Sequence, residues 1–136
     1  MRFRISAIQD EGLPTAMNHA RLQLEDWLNA ALADGDFGSQ HVVIMIVVFA
    51  TSSLPKAPAV SRLAANGDGT QTLALHVTID PEVVSQTEPE RQLQLLASHI
   101  VQGLPERPLR KPRGLDYTRI RQALLACIQP FAKSAA

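Results

Sequence analysis

Residues 2 to 8 alternate: Phe3, Ile5 and Ala7 are apolar, and Arg2, Arg4 and Ser6 are polar. A period of two predicts a half-buried strand over Arg2 to Ile8. "QDEGLPT" breaks the pattern, and Pro14 is placed to open a helix. Ala20, Leu24, Trp27, Leu28, Ala31 and Leu32 then recur at helical spacing, while Asn18, Arg21, Glu25 and Asn29 fall largely on the other side. Asp34-Gly35 ends this helix, with Gly35 able to adopt a left-handed cap.

The stretch from about His41 to Ala50, containing "VVIMIVVFA", is β-branched and apolar at odd and even positions alike. It predicts a central strand that needs cover on both faces. "TSSLPKAP" is a loop, and "VSRLAA" is a weak strand leading into "NGDG", a strong hairpin signal. Thr72 to Ile79 alternates, with Leu73, Leu75, Val77 and Ile79 inward. Asp80-Pro81 starts a short helical turn. Thr87-Glu88-Pro89-Glu90 has the spacing of a capping box, ahead of a helix that presents Leu93, Leu96, Ala97, Ile100 and Leu104. That helix stops at Gly103-Leu104-Pro105. After the proline-rich "PERPLRKPRG", Asp116 caps a last helix with Ile120, Leu124, Cys127, Ile128 and Phe131 on one face, limited by Pro130.

The order β-α-β-β-β-α-α predicts an α+β fold: a four-stranded sheet with about three helices packed mainly on one face. The first two strands, joined by a helix, are expected to be parallel neighbours with a right-handed crossover. The second apolar row of the central strand is either covered, most simply by the C-terminal helix, or open as an interface.

At 136 residues the chain has the size of one domain, residues 1–136, able to bury a core without disulfides or metal. Cys127 is the only cysteine and falls in an apolar helical pattern, which suits an inert thiol in a reducing compartment. The basic start "MRFRISAIQDEG" turns polar too soon for a signal peptide, and nine apolar residues cannot cross a bilayer as a helix, which needs about 20. The expectation is a cytoplasmic protein with no membrane partner.

Net charge is zero but unevenly placed. Residues 1–104 sum to −5 and residues 105–136 to +5. This asymmetry fits a charged interaction surface, or two parts that complement each other within the fold.

No catalytic chemistry emerges. Asp34 and Asp36 are not an EF-hand, because position twelve counted from Asp34 is Met45. As a catalytic acid pair they lack a second environment; a turn explains them and both glycines. His19, His41, His76 and His99 share no metal-ligand spacing. "ANGDGTQ" lacks the Gly-Lys-Ser/Thr end of a phosphate loop. A non-enzymatic protein without cofactor or metal is the reading. Two charged sets remain. The acidic one is Asp10, Glu11, Glu25, Asp26, Asp34 and Asp36, on the first helix and the loops at its ends. The basic one is Arg107, Arg110, Lys111 and Arg113, followed by Arg119 and Arg121. Aromatics make up 4% of residues and do not interleave with the basic cluster, which argues against nucleic acid.

"RFRISAIQDEGLPTA", "LQLEDWLNAAL", the "DGDFG" turn before "VVIMIVVF", and "GLDYTRIRQAL" resemble, in layout over most of the chain, the small bacterial immunity proteins encoded beside polymorphic toxins, including those of contact-dependent growth inhibition. The resemblance implies a cytoplasmic protein that binds and occludes the C-terminal domain of a cognate toxin. Many such toxins are nucleases with basic clefts, which an acidic surface would suit. The family supplies no residue-level motif, so the contact residues rest on charge and position: the acidic set first, the basic set as the alternative surface. Two other classes stay open: a small-ligand or phosphate-binding module using the basic segment, and a subunit of a larger assembly using the apolar strand face. The sequence sets no homo-oligomeric state.

Overall fold

The computed structural model describes residues 1–8, 15–38, 41–50 and 61–133. Their elements follow the order β1 (Arg2–Ile8), α1 (Thr15–Ala31), β2 (Val42–Ala50), β3 (Ser61–Ala65), β4 (Gln71–Ile79), α2 (Pro81–Gln86), a 3₁₀ turn (Pro89–Arg91), α3 (Gln92–Gly103) and α4 (Tyr117–Lys133). The four strands form one mixed sheet in the order β1-β2-β4-β3. β1 and β4 flank β2 in parallel, and β3 closes the other side as the antiparallel hairpin partner of β4. The fold is α+β.

Period-two alternation becomes a layered core through the register. Phe3, Ile44 and Leu73 lie side by side across three strands, and so do Ile5, Ile46 and Leu75. All six are buried in one cluster with Leu24 and Leu28 of α1, Leu96 and Ile100 of α3, and Ile120, Leu124 and Ile128 of α4. α1 and α3 pack on the sheet, and α4 packs on α3 and α1. The C-terminal helix therefore belongs to the helical side and is not the cover expected for the second row of β2. On that opposite face Val47 and Ala74 are buried, Val43 and Met45 half-buried, and Arg2 and Arg4 exposed.

Three local expectations are revised. Gly35 does not take the left-handed conformation; Gly38 does, at φ 90°. A Cβ on Gly35 would come within 2.4 Å of the Phe37 ring, so its role is close approach. The capping box does not form, because the Thr87 hydroxyl donates to Val83 O at the end of α2. Arg91 precedes α3 without a side-chain cap, and the buried Gln92 amide instead donates to Val84 O and Thr87 O. Pro130 does not limit α4, which runs on to Lys133. Proline removes the donor for the carbonyl four residues back. One residue beyond that carbonyl, Cys127 O accepts the indole N–H of Trp27 at 3.1 Å, and the Trp27 ring meets Phe131 edge-on at 5.5 Å.

β1 is an edge strand, and its outward backbone groups need partners. Helix α1 supplies them at Phe3 and Ile5. Phe3 N–H donates to Asn29 Oδ1 at 2.9 Å, and Asn29 Nδ2 donates back to Phe3 O at 2.8 Å. Ile5 N–H donates to Glu25 Oε1 at 2.7 Å, and Arg21 donates to Ile5 O at 3.0 Å. The spacing explains the match. Four residues of helix rise about 6 Å, and two residues of strand advance about 6.6 Å. Glu25 and Asn29, four apart on α1, therefore address Ile5 and Phe3, two apart on β1, and Arg21 completes the pairing at Ile5.

Replacing Asn29 with Ala strands the half-buried amide and carbonyl of Phe3. We expect a loss of about 1–3 kcal/mol, against under about 0.5 kcal/mol for the exposed Gln23→Ala. Urea unfolding midpoints measure both, and equal costs would refute the edge role.

Candidate functional site

The charged residues of the sequence divide on folding. Asp10 and Glu11 lie outside the described residues. Glu25 is half-buried and committed to the β1 edge, so its carboxylate faces a backbone amide. Asp26 is exposed on α1. Asp34 and Asp36 are exposed in the turn that follows it. Arg107, Arg110, Lys111 and Arg113 are all exposed in the segment between α3 and α4.

The acidic turn is held from beneath. Asp36 Oδ1 accepts from Gly38 N–H at 3.2 Å, bending the chain back on itself. Between them Phe37 turns inward and is 6% exposed. Its carbonyl accepts from Asp116 N–H at 2.8 Å. Gly38 and Gly114 both have positive φ, and a Cβ on Gly38 would lie 1.9 Å from Gly114 O. This backbone contact joins the acidic turn to the basic segment, two sets that the sequence places about 70 residues apart. The segments read as alternative surfaces are therefore neighbours.

The basic segment is equally constrained. Leu104, Pro105, Pro112 and Leu115 are buried beneath it. Leu115 N–H donates to Pro112 O at 3.2 Å, and Lys111 Nζ to Leu115 O at 2.7 Å. Asp116 caps α4 as expected, its Oδ1 accepting from Arg119 N–H at 3.2 Å. The Tyr117 hydroxyl donates to Pro105 O at 2.6 Å, tying the two ends of the segment together. Burial pushes the Tyr117 pKa up to about 12, although the nearby Arg121 cation acts the other way. The segment borders a concavity of about 750 Å³ in which Arg107, Arg110 and Lys111 stand beside Glu106, Asp116 and Thr118.

Sequence reasoning missed the role of Arg21, Glu25 and Asn29. Their spacing of four was visible, but it reads as a solvated face until a strand edge is set beside it. Among the described residues no three His, Cys, Asp or Glu side chains converge as a metal site, and no helix is long and apolar enough to cross a membrane. Comparison of the chain with protein-family models, curated proteins and solved structures finds no match.

Two outcomes follow from this geometry. Gly38→Ala meets both a positive φ and the Gly114 carbonyl, whereas Gly67→Ala meets a positive φ and open space. The Gly67 change should cost about 1 kcal/mol, and the Gly38 change clearly more, by urea unfolding; equal costs would disprove the joint. Tyr117 keeps its proton in the folded state to a higher pH than in the unfolded chain, where it ionises near its ordinary value of 10. Its contribution is therefore complete below about pH 10 and is lost as pH rises towards 12. It is the only tyrosine, so ultraviolet titration reads it directly. Tyr117→Phe should cost about 1 kcal/mol at neutral pH and flatten the alkaline fall in stability.

Proposed function

We propose that the chain is a non-catalytic immunity protein, which binds the C-terminal domain of a cognate bacterial toxin and blocks it by occlusion. The supporting observation is the acidic turn: Asp34 and Asp36 are exposed on a backbone fixed by buried Phe37 and by the Gly38–Gly114 contact. A fixed turn loses little conformational entropy when a partner docks. Its two carboxylates, with Asp26 nearby in sequence, suit a basic surface such as a nuclease cleft, and charge of this kind speeds encounter and fixes orientation. Glu25 is left out of the contact set, because it is half-buried against the β1 edge, where its carboxylate accepts from Ile5 N–H. The resemblance in layout to immunity proteins supplies the class of partner; the cytoplasm, where such a toxin acts, is the proposed compartment.

The test is co-purification with the toxin domain encoded beside this gene, followed by affinity and growth-protection measurements. A stable nanomolar complex with growth protection is expected. The double charge reversal Asp34→Lys/Asp36→Lys should raise the dissociation constant at least ~tenfold, chiefly through slower association, with the circular dichroism spectrum unchanged. Unchanged affinity removes this face from the interface. No complex with the neighbouring toxin domain ends the immunity reading.

A further inference from the structure

The concavity along the segment that joins α3 to α4 is independent of that reading. Its cations are Arg107, Arg110 and Lys111, three within five residues. Like charges so close repel one another, and a flexible loop would let them spread. This loop cannot spread freely. Pro108 and Pro112 fix φ at their positions. Tyr117 holds Pro105, Leu115 holds Pro112, and the Phe37 carbonyl holds Asp116. Lys111 is drawn across the loop onto Leu115 O, which fixes its ammonium group.

Two carboxylates share the wall. Asp116 is turned to its own helix, where it accepts from Arg119 N–H, so the helix end is already capped and is not the binding element. Glu106 is exposed at the start of the loop. Along the wall three cations face two carboxylates, one of which is already engaged by its own helix. We propose that this concavity binds the phosphate group of a small phosphorylated molecule, with the Arg107 and Arg110 guanidinium forks and the Lys111 ammonium as its ligands. Guanidinium pairs bind tetrahedral oxyanions bidentately, and a lysine adds a point charge. The volume of about 750 Å³ falls in the range of small-ligand sites. A single-stranded nucleic acid fits less well: such sites stack bases on aromatic rings, and Tyr117, the aromatic residue at this wall, is buried with its hydroxyl committed to Pro105.

Pyrophosphate is the probe, titrated calorimetrically into the intact chain at constant ionic strength without any toxin domain. Saturable binding in the millimolar range or tighter is expected. The double variant Arg107→Gln/Arg110→Gln should weaken it at least ~tenfold, while Arg2→Gln/Arg4→Gln on the opposite sheet face leaves it unchanged. Pyrophosphate should also slow amide exchange over residues 106–118 in the unmodified protein, a readout that needs no variant. Absence of saturable binding, equal weakening by both double variants, or protection elsewhere would overturn the proposal. So would a single-stranded oligonucleotide that binds more tightly than pyrophosphate. Because no toxin is present, failure here leaves the immunity reading standing, and failure of toxin binding leaves this site standing.

Discussion

The sealing of the β1 edge is the interaction on which the remaining architecture depends. A parallel pair such as β1 and β2 leaves the outer strand with amides and carbonyls that point away from the sheet. Here α1 crosses back along that edge and answers them from Arg21, Glu25 and Asn29. The same helix turns Met17, Ala20, Leu24 and Leu28 onto the apolar face. One helix thus has two directional duties, and both fix its rotation about its own axis. With α1 set, α3 has a neighbour beside β4, and α4 has two helices on which to lie.

A second fixed point sits at the end of α1. Phe37 drops into the core, and Gly38 and Gly114 meet backbone to backbone. Parting the acidic turn from the proline-rich segment would break the bond from Asp116 N–H to the carbonyl of buried Phe37. Opposite charges far apart in the chain are brought to adjoining surfaces by apolar burial and main-chain contact. Charge placement on this surface is a consequence of packing.

Much of the fold was legible in the sequence because burial writes periodicity. The alternation of Leu73 to Ile79, the unbroken β2 and the Asn66–Gly69 turn each carried a local signal that survived folding. What was not legible required knowledge of a neighbour. Thr87 and Glu90 have capping-box spacing, but Thr87 is already claimed by Val83. Gly35 reads as a helix stop, yet the left-handed residue is Gly38, because the contact with Gly114 falls there. Pro130 reads as an end, but Trp27 and Phe131 hold the helix beyond it. The acidic set looked continuous along α1; only the edge of β1 distinguishes Glu25, which is used internally, from Asp34 and Asp36, which face water.

The sealed edge also limits how copies of this chain can associate. Fibrous growth of sheets requires two open edges, one to attach and one to be attached to. With Arg21, Glu25 and Asn29 bonded to Phe3 and Ile5, a strand of a second copy would have to add at β3, the other edge of the described sheet. Two sheets joined there would present a closed edge at each outer end. Such pairing terminates at two copies, so the helix that completes the fold also caps the length of any sheet built from it.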